Sequence, residues 1–499
     1  MHTIKNMRYA ASCLVLCTLS FLLAACSQKK AERHYTQADL KDVRVAVTIG
    51  SIQDKFFMEN YPGKELIRAN AAPDLPLMLK EHETDVIALG AVDYSLCKKV
   101  LPNMYVITDS LQPTPVCAAF NKDNEELREE FDRFLAELKK DGTLEKIRRY
   151  WLVDDDGTYP MPSDIPVYTS GKPLRYAIVG RNLGYNFYRN NEPMGMEVEL
   201  VKRFAAREKR PVEYSVIEFS GLIAALVSHK VDIVASYLCK TPERAKAVAF
   251  SEPYSITHTI CIAIDETADA DAANASWLEG IKESFVNNLI KEDRYLLILK
   301  GLWTTVLISV CSAVLGTLLG GLVCWMRMSR RKVCSGFAKC YITLMRGIPI
   351  LVFLMLMYYV FLAKLNIGGV AVAVIAFAMN FAAYVSEMFR TSIEGVDHGQ
   401  TEAGIAMGFT PVQTFVHIVM PQAVRSVLPV YKGELIGLVK STSVVGYIAV
   451  EDLTKASDLI RSRTFDAFFP LIISALLYFA LAWLLAALME RGIKARRKM

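Results

Sequence analysis

The longest uncharged stretch of the sequence, residues 301–326, constrains the fold of this chain more than any other feature. It contains 26 consecutive residues without an acidic or basic side chain, whereas a helix needs about 20 apolar residues to cross a bilayer. Basic residues follow it at 327 and 330–332, and positive charge marks the cytoplasmic side of a membrane. We therefore expect a transmembrane helix that runs from outside to inside, with the preceding residues outside.

Further apolar segments predict an all-α membrane domain with about five transmembrane helices. We expect these spans at residues 301–326, 341–363, 365 or 369 to 386, 427–450 and 467–489. Charged residues inside a span are costly and usually line a path or pair with one another. Glu387, Glu434 and Lys440 are therefore candidates for the translocation path or for helix pairing. Snorkelling to the interface is the alternative for Lys440.

The composition argues against several functions. Hydrophobic residues make up 53% of the sequence, and the net charge is only +5, so nucleic-acid binding is not expected. No G-x-x-x-x-G-K-[ST] motif occurs, so the chain carries no P-loop ATPase of its own. No C-x-x-C pair, metal-ligand spacing or nucleophile–base pattern is present. We therefore expect no catalytic residue, no metal and no cofactor, although related folds host hydrolases.

The first 26 residues have the pattern of a secretory signal. Lys5 and Arg8 precede an uncharged run at residues 9–26, which is short for a membrane span. The run ends Leu-Leu-Ala-Ala-Cys at residues 22–26 and resembles a bacterial lipoprotein signal. That resemblance implies that Cys26 is lipidated and becomes the new N-terminus. An ordinary cleavage site or an uncleaved anchor is the alternative.

The part between the signal and the membrane domain predicts an α/β fold in two halves, at residues 27–151 and 172–265. Strand-like and helix-like patterns alternate in both halves, which is typical of open sheets. Residues 152–171 separate the halves with an acidic, proline-containing linker. A second linker, at residues 266–294, leads to the membrane domain at 295–499. Cys97, Cys117, Cys239 and Cys261 would meet an oxidising compartment, where disulfides are possible.

Several motifs of this part resemble the periplasmic solute-binding proteins of polar amino-acid importers. The motifs are Gly-Met-Glu-Val-Glu-Leu at 195–200, Phe-Ser-Gly-Leu-Ile at 219–223, Thr-Pro-Glu-Arg at 241–244 and Phe-Ser-Glu-Pro-Tyr at 250–254. The resemblance implies a two-lobed periplasmic-binding-protein type II domain. Lobe 2 and the closing helices fall at residues 27–151 and lobe 1 at 172–265, the reverse of the family's order. We interpret this as one circularly permuted domain, and two truncated domains in tandem are the alternative.

The same resemblance implies a solute site between the lobes. Arg244 matches the family's carboxylate-binding Arg, and Phe219 matches an aromatic residue that covers the ligand; a core Phe is the alternative. The family's amine-binding carboxylates are missing, although Asp93 lies close to one of their positions. Tyr237 replaces a small residue, and Cys239 replaces a hydroxyl residue. The ligand is then an unusual amino acid, a carboxylate without an α-amine, or nothing tightly bound.

A moderately polar segment at residues 400–421 interrupts the apolar spans. Glu402 is expected to open a small-residue helix that Gly408 ends, and Pro421 is expected to close the unit. This segment resembles the loop of bacterial import permeases that docks on an ATP-hydrolysing subunit. The residues that carry the resemblance are Glu402-Ala403-Gly404, Gly408 and Ile418-x-Met420-Pro421. Residues 345–350 and 382–390 resemble polar amino-acid permeases as well.

Together these resemblances imply one function. The chain would be the substrate-binding and permease subunit of an ATP-driven (ABC) importer for an amino acid or related small carboxylate, in the bacterial inner membrane with its N-terminal domain periplasmic. A separate ABC ATPase subunit would bind and hydrolyse ATP, so the chain itself is not an enzyme. Two permease units, most simply a homodimer, would form the pathway. A ligand-gated channel and a membrane sensor with such an ectodomain are the alternatives.

Overall fold

The structure, a computed structural model, describes residues 34–497 except 70–71, 73, 95–96, 99–100, 155–158, 266–281, 364, 366, 465 and 467. The predicted signal at residues 1–26, with its lipidation site Cys26, lies outside the described residues, as does most of the predicted linker at 266–294. The described chain has an α/β part that ends near residue 264 and a helical part from residue 282 onward. The predicted fold class, an α/β domain joined to an all-α domain, is confirmed.

The strands of the α/β part are short, apart from the two long strands that pair with each other. The strands are β1 Val45–Thr48, β2 Leu66–Ala69, β3 Val86–Gly90, β4 Met104–Val116, β5 Ala119–Phe120, β6 Leu174–Ile178, β7 Arg181–Asn182, β8 Asn186–Arg189, β9 Glu192–Met194, β10 Val212–Val216, β11 Ile233–Val234, β12 Ala249–Phe250 and β13 Ser255–Ile264.

These strands form two mixed sheets and a small antiparallel one. The sheet of lobe 2 has the order β2-β1-β3-β13-β4, in which β1 is parallel to β2 and β3, and β13 is antiparallel to its neighbours. The sheet of lobe 1 has the order β10-β6-β11-β5-β12. Strands β7, β8 and β9 form a meander beside it. The β1 residues Val45, Ala46 and Val47 are fully buried, as expected of strands covered on both faces.

The two predicted halves exchange strands, which corrects the predicted boundaries of the lobes. β13 lies within the half at 172–265 but belongs to the lobe 2 sheet, and β5 lies within the half at 27–151 but belongs to the lobe 1 sheet. Strand patterns identify extended segments but carry no information on which sheet a segment joins, so the sequence could not show this exchange. The halves therefore form one interlocked two-lobed unit.

The helices of the α/β part cover the two sheets. They are α1 Ile52–Asn60, α2 Asp74–Lys80, α3 Glu125–Lys140, α4 Thr143–Arg149, α5 Met196–Arg207, α6 Leu222–Val227 and α7 Pro242–Ala247. The predicted closing helices, α3 and α4, bury the apolar face that their spacing indicates, and Phe131 of α3 meets Phe204 of α5 with ring centroids 5.1 Å apart. These helices therefore pack on lobe 1, although the sequence analysis assigned them to the same half as lobe 2.

The membrane domain consists of helices that follow one another through short connections. They are α8 Tyr295–Arg327, α9 Lys332–Gly347, α10 Ile350–Leu356, α11 Gly369–Glu394, α12 His398–Ala406, α13 Pro411–Thr414, α14 Met420–Ser441, α15 Leu453–Thr464 and α16 Phe468–Arg497. Within the described residues, three helices are long and apolar enough to cross a membrane, or up to five if each of two bent helix pairs counts as one span.

The predicted second span, at residues 341–363, is broken rather than continuous. Lys332–Gly347 and Ile350–Phe361 meet at an angle of 107°. The break falls at Ile348, which is extended with φ −96° and ψ 129°. Pro349 follows it, and a proline disfavours helical geometry in the preceding residue and lacks an N–H donor. The prediction of one straight span was wrong because it weighed apolar length and overlooked this proline.

Candidate functional site

A cleft between the two lobes brings together all five residues that the sequence predicts to contact solute. Its volume is about 70 Å³, several times the roughly 10–15 Å³ that one water molecule needs. Lobe 2 contributes Asp93 together with Thr48, Ser51, Gln53, Leu89 and Gly90. Lobe 1 contributes Phe219, Tyr237, Cys239 and Arg244, together with Val179, Arg181, Asn182 and Ser236.

Arg244 presents a positive charge to this cleft without a carboxylate partner. Thr241 caps the short helix α7 by accepting a hydrogen bond from the Arg244 N–H. The guanidinium donates to the carbonyl oxygens of Cys239 at 2.8 Å and Gly50 at 2.9 Å, and it lies 5.2 Å from the ring centroid of Phe219. Among the described residues, no carboxylate oxygen lies within 4.0 Å of its nitrogens. Burial lowers the pKa of Arg244, because it disfavours the charged guanidinium, and an anion in the cleft would offset this cost by accepting charge-assisted hydrogen bonds.

Asp93 presents a negative charge to the same cleft. It follows β3 in a single helical turn at Ala91–Asp93. Burial raises the pKa of its carboxyl to about 6, although the positive charge of Arg181 acts in the opposite direction. No described Lys, Arg or His nitrogen lies within 4.0 Å of this carboxylate. A cationic group of a ligand would therefore find an unpaired acceptor here.

Arg181 is a cleft residue that the sequence analysis missed. It lies in β7, and its guanidinium pairs with the carboxylate of Glu218 at 3.3 Å. Glu218 directly precedes Phe219 and also pairs with Lys455 of α15. Burial raises the pKa of Glu218, but the charges of Arg181 and Lys455 outweigh it and lower the pKa to about 2. Arg181 is a charged residue just after the buried strand β6, and this position could have indicated a cleft residue.

Tyr237 connects the lobes across the floor of the cleft. Its backbone has a left-handed φ of 52°, and its N–H donates to the buried carboxylate of Glu197 at 2.7 Å. Its hydroxyl contacts the hydroxyl of Thr257 in β13 of the lobe 2 sheet. A Cβ atom on Gly90 would lie 2.6 Å from the Tyr237 hydroxyl oxygen. The phenol of lobe 1 therefore fills the space that the missing side chain of Gly90 leaves in lobe 2.

Cys239 contributes its backbone rather than its thiol to the contacts described here. Its carbonyl accepts from Arg244, and burial raises the pKa of its thiol to about 12, so the thiol stays protonated at neutral pH. Cys97, Cys117, Cys239 and Cys261 are all free and buried in the structure.

The predicted docking loop is a helix–turn–helix unit with different ends from those expected. Helix α12 begins at His398, capped by Asp397, so Glu402 lies in its middle and does not open it. Gly408, with φ 90°, follows the end of the helix, and Pro411 starts α13 with a capping box between Thr410 and Gln413. Pro421 lies in the first turn of α14, where a proline is tolerated. The expectation that Pro421 closes the unit was therefore wrong.

The two arms of this loop are held together at Gly404. A Cβ atom on Gly404 would lie 2.7 Å from Cγ2 of Thr414 and 2.9 Å from Cδ1 of Ile418, which explains glycine at this position. Several apolar side chains of the loop are exposed, with exposed fractions of 52% at Ile405, 76% at Met407 and 71% at Val412. Glu402, Ala403 and Pro421 are exposed as well. Large exposed apolar patches mark interaction sites, so these side chains make the loop a candidate docking surface.

The charged residues predicted within the spans have different surroundings. Glu387 of α11 pairs with Arg390 at 2.7 Å and lies 3.7 Å from Arg327 of α8, which favours helix pairing over a role in the path. Glu434 is partly buried and Lys440 is exposed on α14.

Comparison with known proteins assigns the helical part. Residues 312–496 match the family described as the binding-protein-dependent transport system inner membrane component. A probable amino-acid ABC transporter permease protein of Bacillus subtilis (strain 168) is 35% identical over 200 residues, which are 40% of this chain and 88% of that protein. The chain belongs to this permease family.

A second relative and one solved structure are also similar to the helical part of the chain. The arginine transport system permease protein of Bacillus subtilis (strain 168) is 32% identical over 203 residues, 40% of this chain and 93% of that protein. A crystal structure of an amino acid ABC transporter with histidines is 31% identical and covers 44% of this chain and 99% of its own, with a TM-score of 0.39. The two Bacillus subtilis relatives are both named as permease proteins.

Proposed function

We propose that this permease carries its own solute-binding domain and imports a zwitterionic amino acid or a related small carboxylate. The observation that carries the proposal is the pair of opposite charges in the interlobe cleft, Arg244 and Asp93, neither of which has an ion-pair partner within 4.0 Å among the described residues. Arg244 would bind the solute carboxylate under the ring of Phe219, and Asp93 would bind the ammonium group. Asp93 supplies the partner that the family's usual positions lack.

The energy for transport would come from a separate ABC ATPase subunit. The sequence has no P-loop motif, and the loop at residues 400–421 exposes an apolar surface that the rest of the described chain leaves uncovered. An ATPase subunit would contact Met407 and Val412. When it closes on ATP, its movement would displace the loop and with it α11 and α14, which flank the loop. Two chains would form the pathway as a homodimer, the simplest closed arrangement.

The location follows from the same proposal. The chain would lie in the bacterial inner membrane with the two-lobed domain in the periplasm and the loop at 400–421 in the cytoplasm. Residues 1–26 would act as a lipoprotein signal with Cys26 as the lipidated residue. The membrane helices already hold the protein in the bilayer, so lipidation would add to the anchoring without being required for it.

One experiment tests the whole proposal. The full-length chain is purified with its ATPase subunit in lipid nanodiscs, and calorimetric titrations measure binding of the common L-amino acids and of small carboxylates such as succinate. We expect at least one zwitterionic amino acid to bind and to stimulate ATP hydrolysis. Absence of any binding, or binding without a co-purifying ATPase, would contradict the proposal.

A further inference from the structure

Helix α15, Leu453–Thr464, lies between the membrane domain and the two-lobed domain and contacts both. One face carries Leu453, Ala456 and Ile460, which are buried in an apolar cluster with Ile298 of α8. Leu459, three residues after Ala456, is buried in the large cluster of the two-lobed domain instead. The helix therefore divides its side chains between the two parts of the protein.

The charged residues of α15 reach both lobes. Lys455, whose side chain is only 5% exposed, pairs with Glu218 of lobe 1. Arg461 pairs with Asp74 of α2 in lobe 2 at 2.9 Å. Arg463 binds lobe 1 as well: it donates to the side chain of Asn191 at 3.2 Å and lies 4.9 Å from the ring of Tyr188. A rigid helix anchored to both lobes responds to any change in their separation.

Lys455 is also connected to the solute cleft through two ionic contacts. Its partner Glu218 is shared with Arg181, and Arg181 lines the cleft beside Asp93. Arg181 is therefore attracted by two carboxylates, Asp93 on the cleft side and Glu218 on the side of α15. A cationic group that neutralises Asp93 leaves Glu218 as the remaining attraction for Arg181. Arg181 then competes with Lys455 for the same carboxylate.

The far side of α15 is tied to the helices that span the membrane. The backbone N–H of Leu453 donates to the hydroxyl of Thr305 in α8 at 3.2 Å. Tyr478 of α16 donates to the buried carboxylate of Asp452, directly before α15, at 2.9 Å. A displacement of α15 is therefore passed to α8 and α16 through direct contacts.

We propose that α15 transmits the occupancy of the solute cleft to the permease, with Lys455 as the positioning residue that acts through Glu218 and Arg181, and with Arg461 as its anchor on lobe 2. This inference rests on the proposed function, because it takes the occupant of the cleft to be an amino acid with an ammonium group. Solute binding weakens the hold of Glu218 on Lys455 and releases α15 for the movement that opens the pathway.

Hydrogen exchange of the full-length chain in nanodiscs tests this inference without the ATPase. The probe is an equimolar mixture of the common L-amino acids, and the readout is amide exchange within residues 453–464, with solute affinity measured by calorimetry on the same samples. In the wild type, we expect the mixture to accelerate exchange in this helix at least five-fold. Lys455→Met abolishes this response and lowers the solute Kd by up to about five-fold, because coupling between two sites is reciprocal, whereas Lys455→Arg retains the response.

Lys300→Met is the matched control, because Lys300 pairs with Glu451 on the membrane domain and its side chain is 70% exposed. It should retain the wild-type response. A response that persists in Lys455→Met, or a wild type that binds solute without any response in α15, overturns the inference and leaves the proposed function standing. A parallel loss of solute affinity in Lys455→Met also overturns it, since Lys455 would then only support the fold. Failure of the wild type to bind the mixture removes the proposed function, and this inference with it.

Discussion

The ring of Tyr237 in lobe 1 occupies the space in which a side chain on Gly90 of lobe 2 would lie. The contact of its hydroxyl with Thr257 joins the lobes at the same point. The large side chain of Tyr237 therefore fits against the backbone of Gly90, and any side chain at position 90 would disturb this contact between the lobes.

Substitution of Gly90 by alanine should disturb this fit. Overpacking of this kind costs roughly 1–3 kcal/mol, so Gly90→Ala should weaken solute binding about ten-fold by opposing closure of the lobes. Calorimetry measures the affinity, and small-angle scattering measures the separation of the lobes. The double variant Gly90→Ala, Tyr237→Ala removes the clash and should recover part of the affinity. Unchanged affinity in the single variant would contradict the proposed fit.

Arg244 should dominate the recognition of the solute carboxylate. Hydrogen bonds to charged groups contribute about 1.5–3 kcal/mol each, so Arg244→Ala should raise the solute Kd about ten- to hundred-fold. Arg244→Lys should recover only part of the loss, because an ammonium group cannot form the bidentate contact that a guanidinium forms with a carboxylate. Arg148→Ala is the control, since Arg148 pairs with Glu145 on the exposed surface of α4. Equal affinities for the Arg244→Ala and Arg148→Ala proteins would exclude Arg244 from the site.

Solute affinity should depend on pH through Asp93. Burial raises the pKa of this carboxyl to about 6. In the solute-free domain the carboxyl is therefore mostly protonated below pH 6 and mostly ionised above it. Binding of an ammonium group needs the ionised form, and affinity should therefore increase from pH 5 to pH 7, by up to about ten-fold per unit below the pKa. Asp93→Asn should weaken binding and flatten the profile. A profile that keeps its slope in Asp93→Asn would assign the titration to another group, such as Glu197, whose pKa burial raises to about 7.

The docking loop should not tolerate a methyl group at Gly404. Gly404→Ala places Cβ against Cγ2 of Thr414, so the two arms of the loop should separate and the amount of co-purified ATPase should fall several-fold. Thr414→Ser removes the clashing methyl group and should restore part of the association in the double variant. Gly433→Ala is the control, because a Cβ on Gly433 meets no atom within 4 Å. If Gly404→Ala co-purifies as much ATPase subunit as the wild type, the packing of the two arms is unimportant for docking.

The exposed apolar surface of the loop should be needed for the same association. Met407→Glu and Val412→Glu each place a charge in that surface and should abolish co-purification of the ATPase, while solute binding in the distant cleft stays unchanged. Val333→Glu, at an 85% exposed position of α9, is the matched control and should retain the ATPase. Retention of the ATPase by both loop variants would argue for another docking surface.

Features that depend on local sequence were predictable. Hydropathy placed the apolar segments, and the positions of Gly408 and Pro411 gave the turn of the loop, because helix ends and proline starts are decided within a few residues. The break at Pro349 was equally local, and it was missed only because apolar length was weighed above the proline. Asp93 and Arg244 were selected by resemblance, and the structure brings both to one cleft.

Features that depend on distant partners were not predictable from one sequence. Glu218 and Lys455 are separated by 237 residues, and no local pattern indicates that a lysine near the last span meets a glutamate beside the solute cleft. The exchange of β5 and β13 between the sheets is similar, because the backbone pairings that decide it join a strand of one half to strands of the other. Tyr237 was noted for its size, but its role against Gly90 required the geometry of both lobes.

The position of β13 between β3 and β4 in the lobe 2 sheet has a consequence for biosynthesis. A ribosome that has completed residues 34–120 has made every other strand of that sheet, yet the gap between β3 and β4 stays open until residues 255–264 emerge. The nascent chain must therefore keep these edges from pairing wrongly while more than a hundred further residues are added. Completion of this sheet and synthesis of α8, which begins at Tyr295, therefore follow each other closely. Cleaving the gene between the halves would yield two fragments that cannot close their sheets alone.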